Sequence, residues 1–166
     1  MGLFKNIPTS NKAQCIGNHA ISLSQELKQI IISNNCVDLN KISLSTLDNV
    51  LFMYDLECYR QLMTTKHNGF FIETTLRTIF ATMEFNNRQA GIDVSDGYLF
   101  EVFKKLSNSL HQVYGLAVNQ GIDGLYGIAM YLCSNELGMS EEDINQNQDL
   151  VLDISKHFNK IINLPI

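Results

Sequence analysis

Residues 95–121, SDGYLFEVFKKLSNSLHQVYGLAVNQG, decide the fold class. Within them Leu99, Phe103, Leu106, Leu110, Val113 and Ala117 step by 4, 3, 4, 3 and 4. A helix brings such positions onto one side, whereas a strand would alternate at every second residue. The stretch therefore predicts an amphipathic helix that buries one stripe. Ser95 is its predicted N-cap, and Asp96 lies in the first turn, where an acid meets the positive end of the helix dipole. Gly121 closes it, because glycine accepts the left-handed backbone of a helix stop.

Outward from this helix the same period recurs. Ile16, Ala20, Leu23, Leu27 and Ile30 share one face of a first helix over residues 10–33, stopped by Asn34-Asn35. Residues 36–44 read as a connector with a short turn of helix. Ser45 opens a second helix, with Asp48 three positions on as a capping box. Its stripe is Leu47, Val50, Leu51, Tyr54, Cys58 and Leu62, and Gly69 stops it. A third helix points Ile72, Leu76, Ile79, Phe80 and Met83 inward and ends at Asn86-Asn87 and Gly91. The helix quoted above is the fourth. A fifth covers residues 123–137, stopped by Gly138, and Ser140-Glu141-Glu142-Asp143 opens a sixth that buries Val151, Ile154, Phe158, Ile161 and Ile162. No strand pattern, internal repeat or linker competes. Short connections pack sequential helices antiparallel. The expectation is all-α: a single compact bundle of five or six mostly antiparallel helices, one domain over residues 1–166.

With 166 residues, 45% apolar, the chain is long enough to bury a proper core. Cys15, Cys36, Cys58 and Cys133 are widely spaced, without a C-x-x-C pair, and read as reduced packing thiols. The start, MGLFKNIP, lacks the apolar core of a secretory signal, and Asn6 stands where myristoylation wants Ser or Thr. No apolar run approaches bilayer length. A cytoplasmic protein without membrane contact is expected.

Charge is the strongest functional signal. Residues 1–105 are formally neutral. Residues 106–155 contain no Lys or Arg but carry Asp123, Glu136, Glu141, Glu142, Asp143, Asp149 and Asp153, and the whole chain stands at −5. A one-signed surface selects partners by its field. Four of the acids also have local explanations. Asp123 is a candidate N-cap, and Glu141, Glu142 and Asp143 fill a first helical turn. Asp153 is placed to pair with Lys156 or His157 on the same helix. Glu136 and Asp149 have no local partner. Local roles leave the charge in place, so the field over the fifth and sixth helices stands.

Other motifs fail on chemistry. Asp143-Ile-Asn145-Gln-Asn147 mimics the start of an EF-hand, but Gln148 stands where its turn needs glycine and Ile154 where a bidentate glutamate must sit. Ala117 and Gly121 have helix-turn-helix spacing, yet the following helix has no base to approach phosphate, so nucleic acid is not an expected partner. Gly121, Gly124 and Gly127 recur every third residue. They fit a close helix crossing better than a phosphate loop, because Asp123 would repel the phosphate. Cys15 and His19, at i and i+4, have zinc-ligand spacing without a second pair, and no metal or cofactor is expected. No Glu-x-x-His is present for a di-iron bundle.

One enzymatic pattern remains. Six residues separate Arg60 from His67 near a helix end. The spacing resembles the R-x4-6-H pair of helical HEPN-type ribonucleases. That resemblance implies His67 as general acid–base and Arg60 as phosphate holder. Arg60 also pairs simply with Glu57 at i−3.

The leading expectation is a non-enzymatic protein-binding module. Glu136, Glu141, Glu142, Asp143, Asp149 and Asp153 form its surface toward a basic protein, and Tyr126 or Tyr131 serves as an anchor. Its concrete form is a bacterial immunity protein that neutralises a cationic nuclease toxin. The alternatives are the Arg60/His67 ribonuclease, a ligand-binding bundle with its pocket near Gly121–Gly127, and a homodimer closed over a wide apolar stripe.

Overall fold

The sequence DLECYR, residues 55–60, lies at the centre of the molecule, although half of it is charged. A computed structural model describes residues 10–165, so the expectations for the MGLFKNIP start lie outside the described residues. Helix α1 is Ser10–Asn34, α2 Leu44–Thr64, α3 Gly69–Gln89 and α4 Tyr98–Asn119. Then come α5 Gly124–Tyr131, α6 Glu141–Gln146 and α7 Gln148–Ile162. A 3-10 turn, Leu39–Lys41, interrupts the connector after α1, as expected. The chain is an all-α bundle, with no strand among the described residues. No helix among them is long and apolar enough to cross a membrane.

Helix α2 is the hub, packed by α1, α3, α4 and α7. Residues 51–59 are all buried, so the helix has no solvent face there. Phe71, Phe80, Phe103 and Phe158 close the core around it, each fully buried. Removing one such ring would cost about 3–5 kcal/mol. Helix α5 lies between α4 and α7. A β-carbon on Gly127 would come 2.5 Å from that of Ala117, and one on Gly124 would strike the Tyr114 ring. The glycines therefore serve the close crossing that their spacing predicts.

The observed helices number seven among the described residues, not five or six. The sixth predicted helix breaks at Asn147, whose backbone leaves the helical region while its amide donates to the Asp143 carbonyl at 2.7 Å. The fifth ends at Tyr131 and continues as a π turn over Leu132–Glu136, closed by Leu137 N–H donating to Leu132 O at 3.1 Å. Leu132, Cys133, Leu137 and Met139 are all buried. An i→i+5 turn brings Leu132 and Leu137 to the same side, which an α-helical turn would not.

Two predicted caps are replaced by contacts between elements. Ser43 is the residue that precedes α2, and Asp48 leaves its predicted capping box for Lys28 of α1, at 2.8 Å. Ser95 does not cap α4. The buried carboxylate of Glu84, from α3, accepts from Gly97 N–H at 3.0 Å and Leu99 N–H at 2.9 Å. Gly97 takes the left-handed φ of 77° that this approach requires. Asp96 pairs instead with Arg88 at 2.8 Å.

Candidate functional site

The base-free stretch folds into the second half of α4, α5, the π turn, α6 and most of α7. Its acids divide by what holds them. Asp123 caps α5, accepting from Leu125 and Tyr126 N–H at 3.0 Å each. Asp143 closes a reciprocal box with Ser140, which holds its carboxyl below the usual range through hydrogen bonds from the Ser140 side chain and backbone. Glu136 has partners that its sequence neighbourhood did not reveal. It accepts from the Tyr54 hydroxyl at 3.3 Å and from Asn135 at 3.0 Å. Burial, and then the Glu136 charge, keep the Tyr54 phenol firmly protonated.

Glu141, Glu142, Asp143 and Asp149 are exposed and Asp153 is half-exposed. Among the described residues, none of the six predicted surface acids stands in a salt bridge. The expected surface pair of Asp153 with His157 is overturned. His157 turns inward, and its Nε2 lies 3.0 and 2.9 Å from the two oxygens of Asp55, both residues being buried. Burial raises the Asp55 carboxyl above its ordinary value, against the opposing hydrogen bond from His157. Tyr126 and Tyr131 are half-buried against the core, so neither is the exposed anchor expected of it. The exposed apolar residue among the acids is Leu152, between Asp149 and Asp153.

Glu136 and Asp143 meet a third acid that sequence distance had hidden. A recess of about 360 Å³ is lined by Asp38 and Lys41 from the connector, and by Glu136, Gly138, Met139 and Asp143. Lys41 approaches Asp38 at 3.6 Å. Its three carboxylates against one ammonium leave the recess negative. Nothing in the local pattern of residues 36–42 links them to the π turn a hundred residues later; only the packing does.

The enzymatic pair is divided. Arg60 lines a cleft with Thr64, Lys104 and His111, while His67 lines a separate cavity with Lys12, Cys15 and Tyr59. Arg60 gives Nε and Nη2 to the buried Glu57 carboxylate at 2.8 and 2.7 Å, as the i−3 spacing implied. Burial, then the charges of Lys12 and Lys66, lower the His67 imidazole below its ordinary value. Cys15 lines the same cavity as His67, and His19 sets its ring edge-on to Tyr59 at 5.7 Å. Burial pushes the Cys133 thiol up to about 12 and raises Cys58 further from reactivity, so both are packing residues. The ligand pocket expected near Gly121–Gly127 is filled, since Tyr114 and Ala117 occupy the space over Gly124 and Gly127. The EF-hand mimic is helical from Glu141 to Gln146. Leu116 and Val118 are exposed at the end of α4. Comparison with family models, curated proteins and solved structures finds no match to this chain.

Proposed function

We propose that this chain is a cytoplasmic, non-enzymatic protein-binding module whose partner is a basic protein. In its concrete form it is a bacterial immunity protein that neutralises a cationic toxin. The observation that carries this reading is the negative recess of Asp38, Glu136 and Asp143, beside a base-free surface whose acids lack ion partners. A concave acidic site accepts one arginine or lysine of the partner, and the surrounding Glu141, Glu142, Asp149 and Asp153 steer it in. Leu152 supplies apolar contact within that field.

Titration of the labelled protein with a short arginine-rich peptide, and with its glutamate counterpart, tests the reading. The arginine peptide should shift amides over residues 136–153 and those near Asp38. The shifts should fade in about 1 M salt, where the screening length is about 3 Å. Glu141→Lys with Asp149→Lys should weaken them at low salt by turning the surrounding field against the peptide. Shifts that ignore salt, or that the double reversal leaves unchanged, would sink the acidic-surface reading.

A further inference from the structure

We infer a second site on different residues: the cleft between α2, α3 and α4 binds a small organic oxyanion, a carboxylate or phosphate borne on an apolar body. On α4, Lys104, Ser107, Asn108 and His111 step by 3, 1 and 3, which puts them on one face. That face does not only meet bulk water. It forms one wall of a cleft of about 440 Å³, within the range of small-molecule sites, roughly 300–1,000 Å³. Arg60 and Thr64 of α2 stand opposite, Ile72, Leu76, Phe100 and Phe103 make an apolar floor, and Glu73, engaged by Arg77 at 2.8 Å, lines the cleft as its one exposed carboxylate.

The arginine is held in an unusual way. Glu57 is wholly buried, yet its partner is Arg60 of the same helix, three residues on. Burying a carboxylate is costly, and a pair within one helix joins no two elements in return. What the pair does is fix the guanidinium. Two of its nitrogens are engaged by Glu57, and Nη1 has no acceptor among the described residues. Across the cleft, Ser107, Asn108 and His111 likewise make no side-chain hydrogen bond to the described protein. Lys104 and Arg77 both lie over the Phe100 ring, at 5.7 and 4.3 Å. The two cations that line the cleft each have a carboxylate on their own helix, Glu57 for Arg60 and Glu101 for Lys104, as Arg77 beside it has Glu73. Net charge therefore does not select the ligand. Donors do: a planar guanidinium fixed by Glu57, with an amide, a hydroxyl and an imidazole lining the same concave space above apolar side chains, suits an oxyanion with an apolar tail.

The test uses the full chain titrated with phenyl phosphate, with benzoate, and with benzyl alcohol as the uncharged match, followed by amide shifts and calorimetry. One or both anions should bind saturably, with shifts at residues 60–64 and 104–111, and the alcohol should not. Comparing the two anion arms tells which oxyanion the site prefers. Asn108→Ala and His111→Ala change exposed side chains without internal bonds, so melting should be unaltered while affinity falls about tenfold, the loss of one charge-assisted hydrogen bond. Glu57→Gln with Arg60→Met removes the pair without stranding a buried charge and should abolish binding. Equal binding of the alcohol, non-saturating shifts scattered over surface lysines, or no response in the millimolar range would each overturn the inference.

Discussion

Gly127→Ala, set against Gly115→Ala, tests the close crossing of α4 and α5. Both glycines lie inside helices, and alanine in a helix interior is favoured over glycine by about 1 kcal/mol. At Gly115 a β-carbon meets nothing within 4 Å, so the full gain of about 1 kcal/mol should appear. At Gly127 the new methyl would stand 2.5 Å from the Ala117 β-carbon, where ordinary contact begins at 3.4 Å. Neither atom is the far end of a flexible side chain, so α4 and α5 must separate by nearly an ångström. Overpacking of this kind costs about 1–3 kcal/mol. Set against the helical gain, the net loss is about 1 kcal/mol, or roughly 2–4 °C in melting temperature for a chain of this size. Ala117→Gly should relieve the clash, so combining it with Gly127→Ala should cost less than the sum of the two single changes. Urea denaturation of the four variants measures each step. A Gly127→Ala protein as stable as Gly115→Ala, or an additive double variant, would refute the close crossing.

Three further outcomes are expected. Glu84→Ala should cost about 2–3 kcal/mol by leaving two amides at the start of α4 without their acceptor, and hydrogen exchange should quicken at Gly97 and Leu99 before the rest of that helix. Asp55 has a folded-state pKa raised above its ordinary 3.8, so its contribution to stability is present below that value and is lost as pH rises through the raised one. Asp55→Asn should therefore gain on the natural chain as pH climbs from about 4; denaturation curves showing the opposite trend would mean that the contact with His157 behaves as an ion pair. His157→Ala should cost about 1–3 kcal/mol by leaving the buried Asp55 carboxyl without its hydrogen-bond partner, measurable by thermal unfolding at neutral pH.

Periodicity carried the fold because it reports a physical necessity: a helix must bury one stripe. Leu99, Phe103 and Leu110 of α4 and Ala20, Leu23 and Leu27 of α1 therefore read correctly from spacing alone. Caps read correctly where the partner was local, as at Asp123 and Ser140–Asp143. They failed where a distant side chain did the work, as Glu84 does for α4. The signal overlooked was the run from Leu51 to Tyr59, apolar except for Asp55 and Glu57. Acids inside such a run have no solvent face to occupy, so they must find internal partners. Asp55 finds His157, more than a hundred residues on, and that separation is why spacing paired His157 with Asp153 instead.

The same distinction sharpens the acidic surface. Asp123 and Asp143 are committed to helix starts, and Glu136 is held by Tyr54 from the core. Their carboxylates are already hydrogen-bonded and fixed in place, which suits direct contact with a partner's cation. Glu141, Asp149 and Asp153 have no such fixing and project a field that reaches about a screening length, roughly 10 Å at 0.1 M salt. The two groups should therefore fail differently once a partner is in hand. Replacing Glu141 and Asp149 by neutral residues should slow association at low salt and change little at high salt, because steering is all they supply. Replacing Glu136 by Gln should speed dissociation at any salt, because it removes the wall of the recess against which the partner's cation is desolvated. A Glu136→Gln protein that differs only in its rate of association would place the contact elsewhere and leave the recess without a role.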